Sequence, residues 1–239
     1  MSTSLPVLIV IPAWNEAANL AAVVTELRAS RPHDEIAIVD DGSLDATSEE
    51  ARRLGCVLLR LPLHLGYGVA VQTGIKYALR AGHRIVVTFD GDGQHDPAEV
   101  EALVAAVRAG ADVAVGSRFL SAESYRGGPS RRTGRWVFSQ LAGALTGIRL
   151  TDPTSGLKAL GPRAQSLFAS TRFPDRFPDA DALVLARRAR LAIVERPACM
   201  RRSQNRHSMH GGYRAVAYTF NMLLSLLVAA SGRESDLRG

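Results

Sequence analysis

Cysteine is scarce in this chain of 239 residues: Cys56 and Cys199 stand alone, far apart and in no CxxC. That excludes a disulfide scaffold and a thiolate-rich metal centre, and both are read as reduced core residues of a cytoplasmic protein. Lysine is scarcer than the charge suggests, since Lys76 and Lys158 are the only lysines among 29 basic residues. Aromatic residues make up 6%. That is too few for a basic stripe interleaved with stacking rings, so nucleic acid is not an expected partner. The opening residues Met1 to Pro6 have neither the basic n-region nor the apolar h-region of a secretory signal. No apolar run reaches the ~20 residues that a membrane-spanning helix needs.

What is present is a globular α/β pattern. Apolar residues reach 46%, and the length suits one well-cored domain with little left for a second. Arginine carries the net charge of +6. Its planar fork suits phosphate, but nucleic acid, an anionic membrane surface and a diphosphate are all compatible with the charge alone.

Short apolar runs alternate with helical patterns through the first half. Strands are predicted at Pro6–Pro12, Glu35–Asp40, Cys56–Leu61, Arg84–Asp90 and Asp112–Gly116. Helices are predicted near Asn15–Ser30, Leu44–Leu54, Gly68–Arg80 and Pro97–Ala109. Apolar strands separated by helices imply a mainly parallel sheet covered on both faces. Asp96, Pro97 and Glu99 read as an N-cap, an N1 proline and the acid of a capping box. Past Ser117 the periodicity fades, and Ser121–Gly134 reads as a loop rich in Ser, Gly and Arg.

Ligands of open parallel α/β sheets gather at the carboxyl ends of the strands. Three polar clusters fall there: Pro12-Ala13-Trp14-Asn15-Glu16, Asp40-Asp41-Gly42-Ser43, and the run from Asp90 to Asp96. A lone acidic strand end is ordinary turn chemistry. Three on one edge are not. Asp90 and Asp92, two residues apart around Gly91, can bring two carboxylates to one cation, with Gln94 and His95 in reach as further ligands. Hard oxygen donors suit Mg²⁺ or Mn²⁺, which keep positions open for phosphate oxygens. Asp41 is placed to accept hydrogen bonds from a base or ribose. Asn15 also fits a plain helix N-cap, and Trp14 a staple residue.

IPAWNEAANL, IVDDGSLDAT, HLGYGVAVQTGIKYAL, VTFDGDGQHDP, GSRF and DPTSGLKAL resemble, in order, the motifs of family 2 glycosyltransferases with the GT-A fold. The likeness covers roughly residues 5 to 212 and is nearest to the polyprenyl- and dolichyl-phosphate hexose synthases. It implies that Pro12, Trp14, Glu16 and Asp41 hold a nucleoside, with Trp14 standing where the family usually has Tyr. It implies that Asp90, Gly91, Asp92 and Gln94 hold the metal and diphosphate, that Arg118 meets the sugar or a phosphate, and that Gly66 and Gly68 lie in a tight loop below the nucleotide. A dinucleotide-binding fingerprint fits those glycines less well, because the third falls at Gly74 rather than at position 71.

The acceptor implied is a polyprenyl monophosphate, whose dianion attacks without a strong general base. Arg131, Arg132 and Arg135, with Arg202, Arg206 and Ser208, are the candidate phosphate contacts. The family's usual Arg five residues before that Ser is Ser203 here, so either Arg202 or Arg206 stands in or the diphosphate is gripped differently. A hydroxyl acceptor would need a base, and Asp179 or Asp181 lies where it would fall. A non-catalytic nucleotide-sugar-binding subunit would need no metal on the leaving group, and the intact Asp90, Asp92 and Gln94 set argues against it. His207 and His210 lack a third soft ligand for zinc.

Residues 1–212 thus read as the catalytic domain. Ala215–Ala230 reads as an amphipathic helix, placed in the membrane interface, against another subunit or small membrane-protein partner, or on its own domain, and Gly232–Gly239 as a tail. The expected location is cytoplasmic, peripheral at the inner face of the cell membrane.

Overall fold

The computed structural model describes residues 7–120, 150–174 and 179–201. Arg131, Arg132, Arg135, Arg202, Arg206, Ser208, the 121–134 loop and the C-terminal helix and tail lie outside the described residues.

Among the described residues seven strands form one sheet: β1 (Val7–Ala13), β2 (Glu35–Asp40), β3 (Val57–Arg60), β4 (Ile85–Thr88), β5 (Val113–Ser117), β6 (Lys158–Leu160) and β7 (Ile193–Pro197). Their order is β3-β2-β1-β4-β6-β5-β7. Only β6 runs antiparallel, between β4 and β5. The described helices are α1 (Ala17–Ser30), α2 (Thr47–Arg53), α3 (Tyr67–Ala81), α4 (Glu99–Arg108), α5 (Pro162–Phe168) and α6 (Ala180–Arg188).

Alternation along β1 explains why the strand reads as continuously apolar. Ile9 and Ile11 point to one core with α1 and α4, while Leu8 and Val10 point to a second core with α3, α5 and α6. Both faces are therefore dry, and polar groups are driven to the strand ends. The reversal of order about β1 and β4 opens the crevice where such sheets hold ligands.

Three local expectations are corrected. Both cysteines are free as expected, but while Cys56 packs half-buried against the core, Cys199 is exposed and is no core residue. Asp96 does accept the Ala98 N–H at 3.0 Å ahead of α4, but Glu99 does not close a capping box. Its carboxylate reaches instead to the Cys199 N–H, 100 positions along the chain. Asn15 is no N-cap: α1 begins at Ala17, and Asn15 turns to the β2–α2 loop.

Gly74 fixes how closely α3 lies on the sheet. A Cβ at this position would stand 2.3 Å from Val10 Cγ1, inside a buried strand. We predict that Gly74→Ala costs about 1–3 kcal/mol in urea unfolding, overpacking outweighing the better helix propensity. Val10→Ala on that background should recover part of the loss.

Candidate active site

The carboxyl ends of β1 and β2 are knit together by side chains from both loops. Asn15, in the left-handed region at φ 57°, donates its N–H to Ser43 Oγ (2.9 Å) and accepts the Leu44 N–H (2.9 Å). The Glu16 N–H donates to Thr47 Oγ1 (2.9 Å). Asp40, fully buried, accepts from the Ser43 N–H and from the Ser48 hydroxyl. Burial pushes its pKa up, yet those hydrogen bonds outweigh burial and hold it below the ordinary value.

Asp41 is buried, and its two oxygens accept the N–H groups of Leu65 (2.7 Å) and Gly66 (2.8 Å), with His64 Nδ1 at 2.8 Å. The carboxylate thereby fixes the loop before α3 to the end of β2. Oδ2 takes both the Gly66 N–H and His64, so the second lone pair of Oδ1 is the acceptor capacity left for a ligand. On the outer side of that loop His64 stacks on the exposed Trp14, with ring centroids 4.3 Å apart. Trp14 is thus a rim residue and not a buried staple.

The end of β4 leads into Asp90, whose half-buried carboxylate is held from several directions. Tyr67 Oη donates to Oδ1 (3.3 Å) and His95 Nε2 to Oδ2 (3.1 Å). Burial would raise the Asp90 pKa; the His95 bond and charge, with Lys158 and Tyr67, lower it below the usual carboxylate value. Gly156 faces the same group, and a Cβ there would fall 2.5 Å from Oδ2. His95 was read from sequence as a further metal ligand. It is instead buried behind Asp90, edge-on to Phe89, and serves as that carboxylate's donor.

Asp92 reaches the surface beyond Asp90. Its oxygens accept the N–H (3.0 Å) and the side-chain amide (2.7 Å) of Gln94. Surrounding protein atoms and the charge of Asp90 raise its pKa. Glu16 is raised too, by burial and by the charges of Asp92, Asp45 and Asp90. Glu16 lies across β1 from this turn, with its Cγ 3.7 Å from where a Gly91 Cβ would be. Concentrated negative charge with raised pKa values marks a place that gains by taking a cation.

No group of three or more His, Cys, Asp or Glu side chains that could hold a metal occurs among the described residues. Two carboxylates and an amide nonetheless fit Mg²⁺ or Mn²⁺, which bind through one or two carboxylates and complete their shells with water and substrate phosphate.

Arg118, expected at the sugar or a phosphate, gives its fork to the buried Asp152. Nε lies 2.5 Å from Oδ2 and Nη2 lies 2.6 Å from Oδ1, with Thr154 Oγ1 a further 2.7 Å contact. Nη1 meets Met200 Sδ at 3.6 Å. Asp179 is also in a buried pair, with Lys158 Nζ at 2.9 Å, and Asp181 lies buried in the first turn of α6. Tyr67, Gly156 and Lys158, which support Asp90, were given no role by sequence reasoning. The DPTSGLKAL motif was the one signal that could have pointed to two of them.

The family model for glycosyl transferase family 2 matches residues 8–160. The chain belongs to glycosyltransferase family 2. It is 35% identical over 162 residues to the polyprenol monophosphomannose synthase of Mycolicibacterium smegmatis, covering 64% of this chain and 60% of that one. It is 28% identical over 248 residues to the UDP-N-acetylglucosamine–dolichyl-phosphate N-acetylglucosaminyltransferase of Methanococcus voltae, covering 95% and 97%. Among solved structures, glucosyl-3-phosphoglycerate synthase from Mycobacterium tuberculosis, in complex with Mn²⁺ and UDP-glucose, superposes with a TM-score of 0.72 at 22% identity. That match covers 97% of this chain and 81% of that one. The fold of this family 2 glycosyltransferase is GT-A, a mainly parallel mixed sheet flanked by helices.

Because its pKa is raised on folding, ionised Asp92 opposes the metal-free fold at neutral pH. The cost is absent below the unfolded pKa of about 3.9, where the group is protonated in both states. Without metal, Asp92→Asn should therefore melt above the wild type at pH 7. The difference should vanish below about pH 4 in a scan of melting temperature against pH.

Proposed function

We propose that this chain is a metal-dependent, inverting hexosyltransferase that moves sugar from a GDP- or UDP-linked donor to a polyprenyl monophosphate. The observation that carries this reading is the convergence of Glu16, Asp90 and Asp92 at one crevice, where the mutual repulsion of the three acids helps to raise the pKa of Glu16 and Asp92 although His95 and Lys158 offset Asp90. Asp90, Asp92 and Gln94 are the residues that would hold Mg²⁺ or Mn²⁺, which when bound neutralises charge developing on a departing nucleoside diphosphate.

Around that centre each residue has a positioning task. Trp14 offers a ring face at the rim, and Pro12, Glu16, Asp41, Gly66 and Gly91 shape the nucleoside and diphosphate pocket. A phosphate oxygen of the acceptor forms the new bond to the anomeric carbon as the bond from that carbon to the diphosphate oxygen breaks on the opposite face. The nucleoside diphosphate leaves with the electron pair. No proton need be removed from a phosphate dianion, so no general base is required. Arg131, Arg132, Arg135, Arg202, Arg206 and Ser208 are the proposed contacts for the two anions. Arg118 acts from its Asp152 pair, shaping the sugar side of the crevice.

The polyprenyl-phosphate acceptor draws support from the names of the two relatives, one a polyprenol and the other a dolichyl-phosphate transferase. A hydroxyl acceptor would need Asp179 or Asp181 as base, and the Asp179 carboxylate is engaged by Lys158 Nζ at 2.9 Å. We infer a peripheral placement at the inner face of the membrane, where such an acceptor would be met. Among the described residues no helix is long and apolar enough to cross a membrane.

A panel of GDP- and UDP-hexoses with Mn²⁺ or Mg²⁺, with and without a short-chain polyprenyl phosphate, tests the proposal. One donor should turn over only when lipid phosphate and metal are both present. Asp92→Asn should lower that rate by at least ~10²-fold. Donor binding without any transfer to lipid phosphate would refute the acceptor assignment.

A further inference from the structure

The segment after β7 does more than end the sheet. The Ala198 N–H donates to Ser117 O (2.8 Å), prolonging the β5–β7 ladder past Pro197. The Cys199 N–H then donates to the Glu99 carboxylate. Met200 forms an antiparallel bridge with His95, and the Arg201 N–H donates to Gln94 O (2.8 Å). The Arg201 guanidinium reaches Glu26 on α1 (2.5 Å) and Asp96 (3.3 Å). Residues 198–201 thus form a strap, with the N–H groups of Ala198, Cys199 and Arg201 all bonded, lying directly on the backbone of the turn that carries Gln94 and His95.

Glu99 is the fastening at the centre of this strap. Its side chain leaves the first turn of α4, where an acid would ordinarily stay on its own helix, and crosses to a strand end 100 positions away. It is half-buried, and its second oxygen, Oε2, is buried with no hydrogen-bond partner in the structure. A carboxylate desolvated to this degree for one backbone N–H costs stability that plain capping would not. The position held by that bond is the part of the chain that backs Gln94.

We propose that Glu99 is a positioning residue for the metal-binding turn: by holding Cys199 it seats the strap on Gln94 and His95, and so sets the geometry of Gln94 and, through His95, of Asp90. This rests on the metal site of the proposed function. Glu99 itself touches neither metal nor substrate. Its effect is transmitted through the strap backbone, as outer groups orient metal ligands elsewhere.

The test is calorimetric titration of Mn²⁺ in the presence of nucleoside diphosphate, with melting temperatures taken alongside. It compares wild type, Glu99→Ala and Glu99→Gln. The glutamine carbonyl can still accept the Cys199 N–H. We expect Glu99→Ala to weaken Mn²⁺ binding about tenfold and Glu99→Gln to stay within about twofold of wild type. Donor KM should rise in the alanine variant more than kcat falls. Unchanged Mn²⁺ affinity in Glu99→Ala, whatever its melting temperature, would overturn the inference. Equal losses in both variants would also overturn it, since the hydrogen bond would not be the agent. If Glu99→Ala does not fold, Arg201→Ala, which removes the strap's surface anchorage, must weaken Mn²⁺ binding in the same direction or the inference falls. Absence of Mn²⁺ binding in the wild type would instead remove the metal site on which both readings stand.

Discussion

The Asp90 carboxylate sits where a buried strand gives way to a ligand crevice, and much of the site is arranged to keep it ionised there. Partial desolvation alone would raise its pKa. Tyr67 from the start of α3, His95 from the following turn and the charge of Lys158 from β6 together reverse that tendency. These groups come from separate stretches of chain, so the charge state of one acid depends on the docking of most of the sheet. Gly156 completes the arrangement by having no side chain, which lets the 152–157 loop close against the carboxylate.

Asp92 shows the opposite balance two residues away. It has Gln94 for a donor but also the charge of Asp90 nearby, and its pKa rises. One acid is stabilised by the protein and the next is left in excess, an arrangement that a bound cation would relieve. Buried pairs further out follow a different logic. Arg118–Asp152 and Lys158–Asp179 each cost desolvation, and their value lies in fixing the loops that carry them. Together they bind the strand end at Ser117, the 152–157 loop and the start of α6 into one frame around Asp90.

Much of this was legible in the sequence wherever the determinants are local. β2 falls at Glu35–Asp40 as read, and β1, β3, β4 and β5 fall within a few residues of their expected limits, because continuous apolar runs between helices admit few other readings. The clustering of Glu16, Asp41, Asp90 and Asp92 on one edge followed from strand polarity alone. β6 was not visible: it has three residues, and one is a lysine that is buried only because Asp179 meets it. The placement of His95 behind Asp90, the turning of Glu99 from its own helix to Cys199 and the pairing of Arg118 with Asp152 all depend on partners distant in the chain. No spacing rule reports those. Of the two readings open for Asn15, the helix N-cap fails for the same reason, its hydrogen bonds going to Ser43 and Leu44 and not to its own helix.

The most direct test of the whole account is an anomalous-difference map from crystals grown with Mn²⁺ and GDP or UDP. The account predicts one strong Mn²⁺ peak at the turn of residues 90–94, among the side chains of Asp90, Asp92 and Gln94. A diphosphate bound in the crevice with no Mn²⁺ at that turn, or Mn²⁺ held elsewhere on the chain, would contradict it.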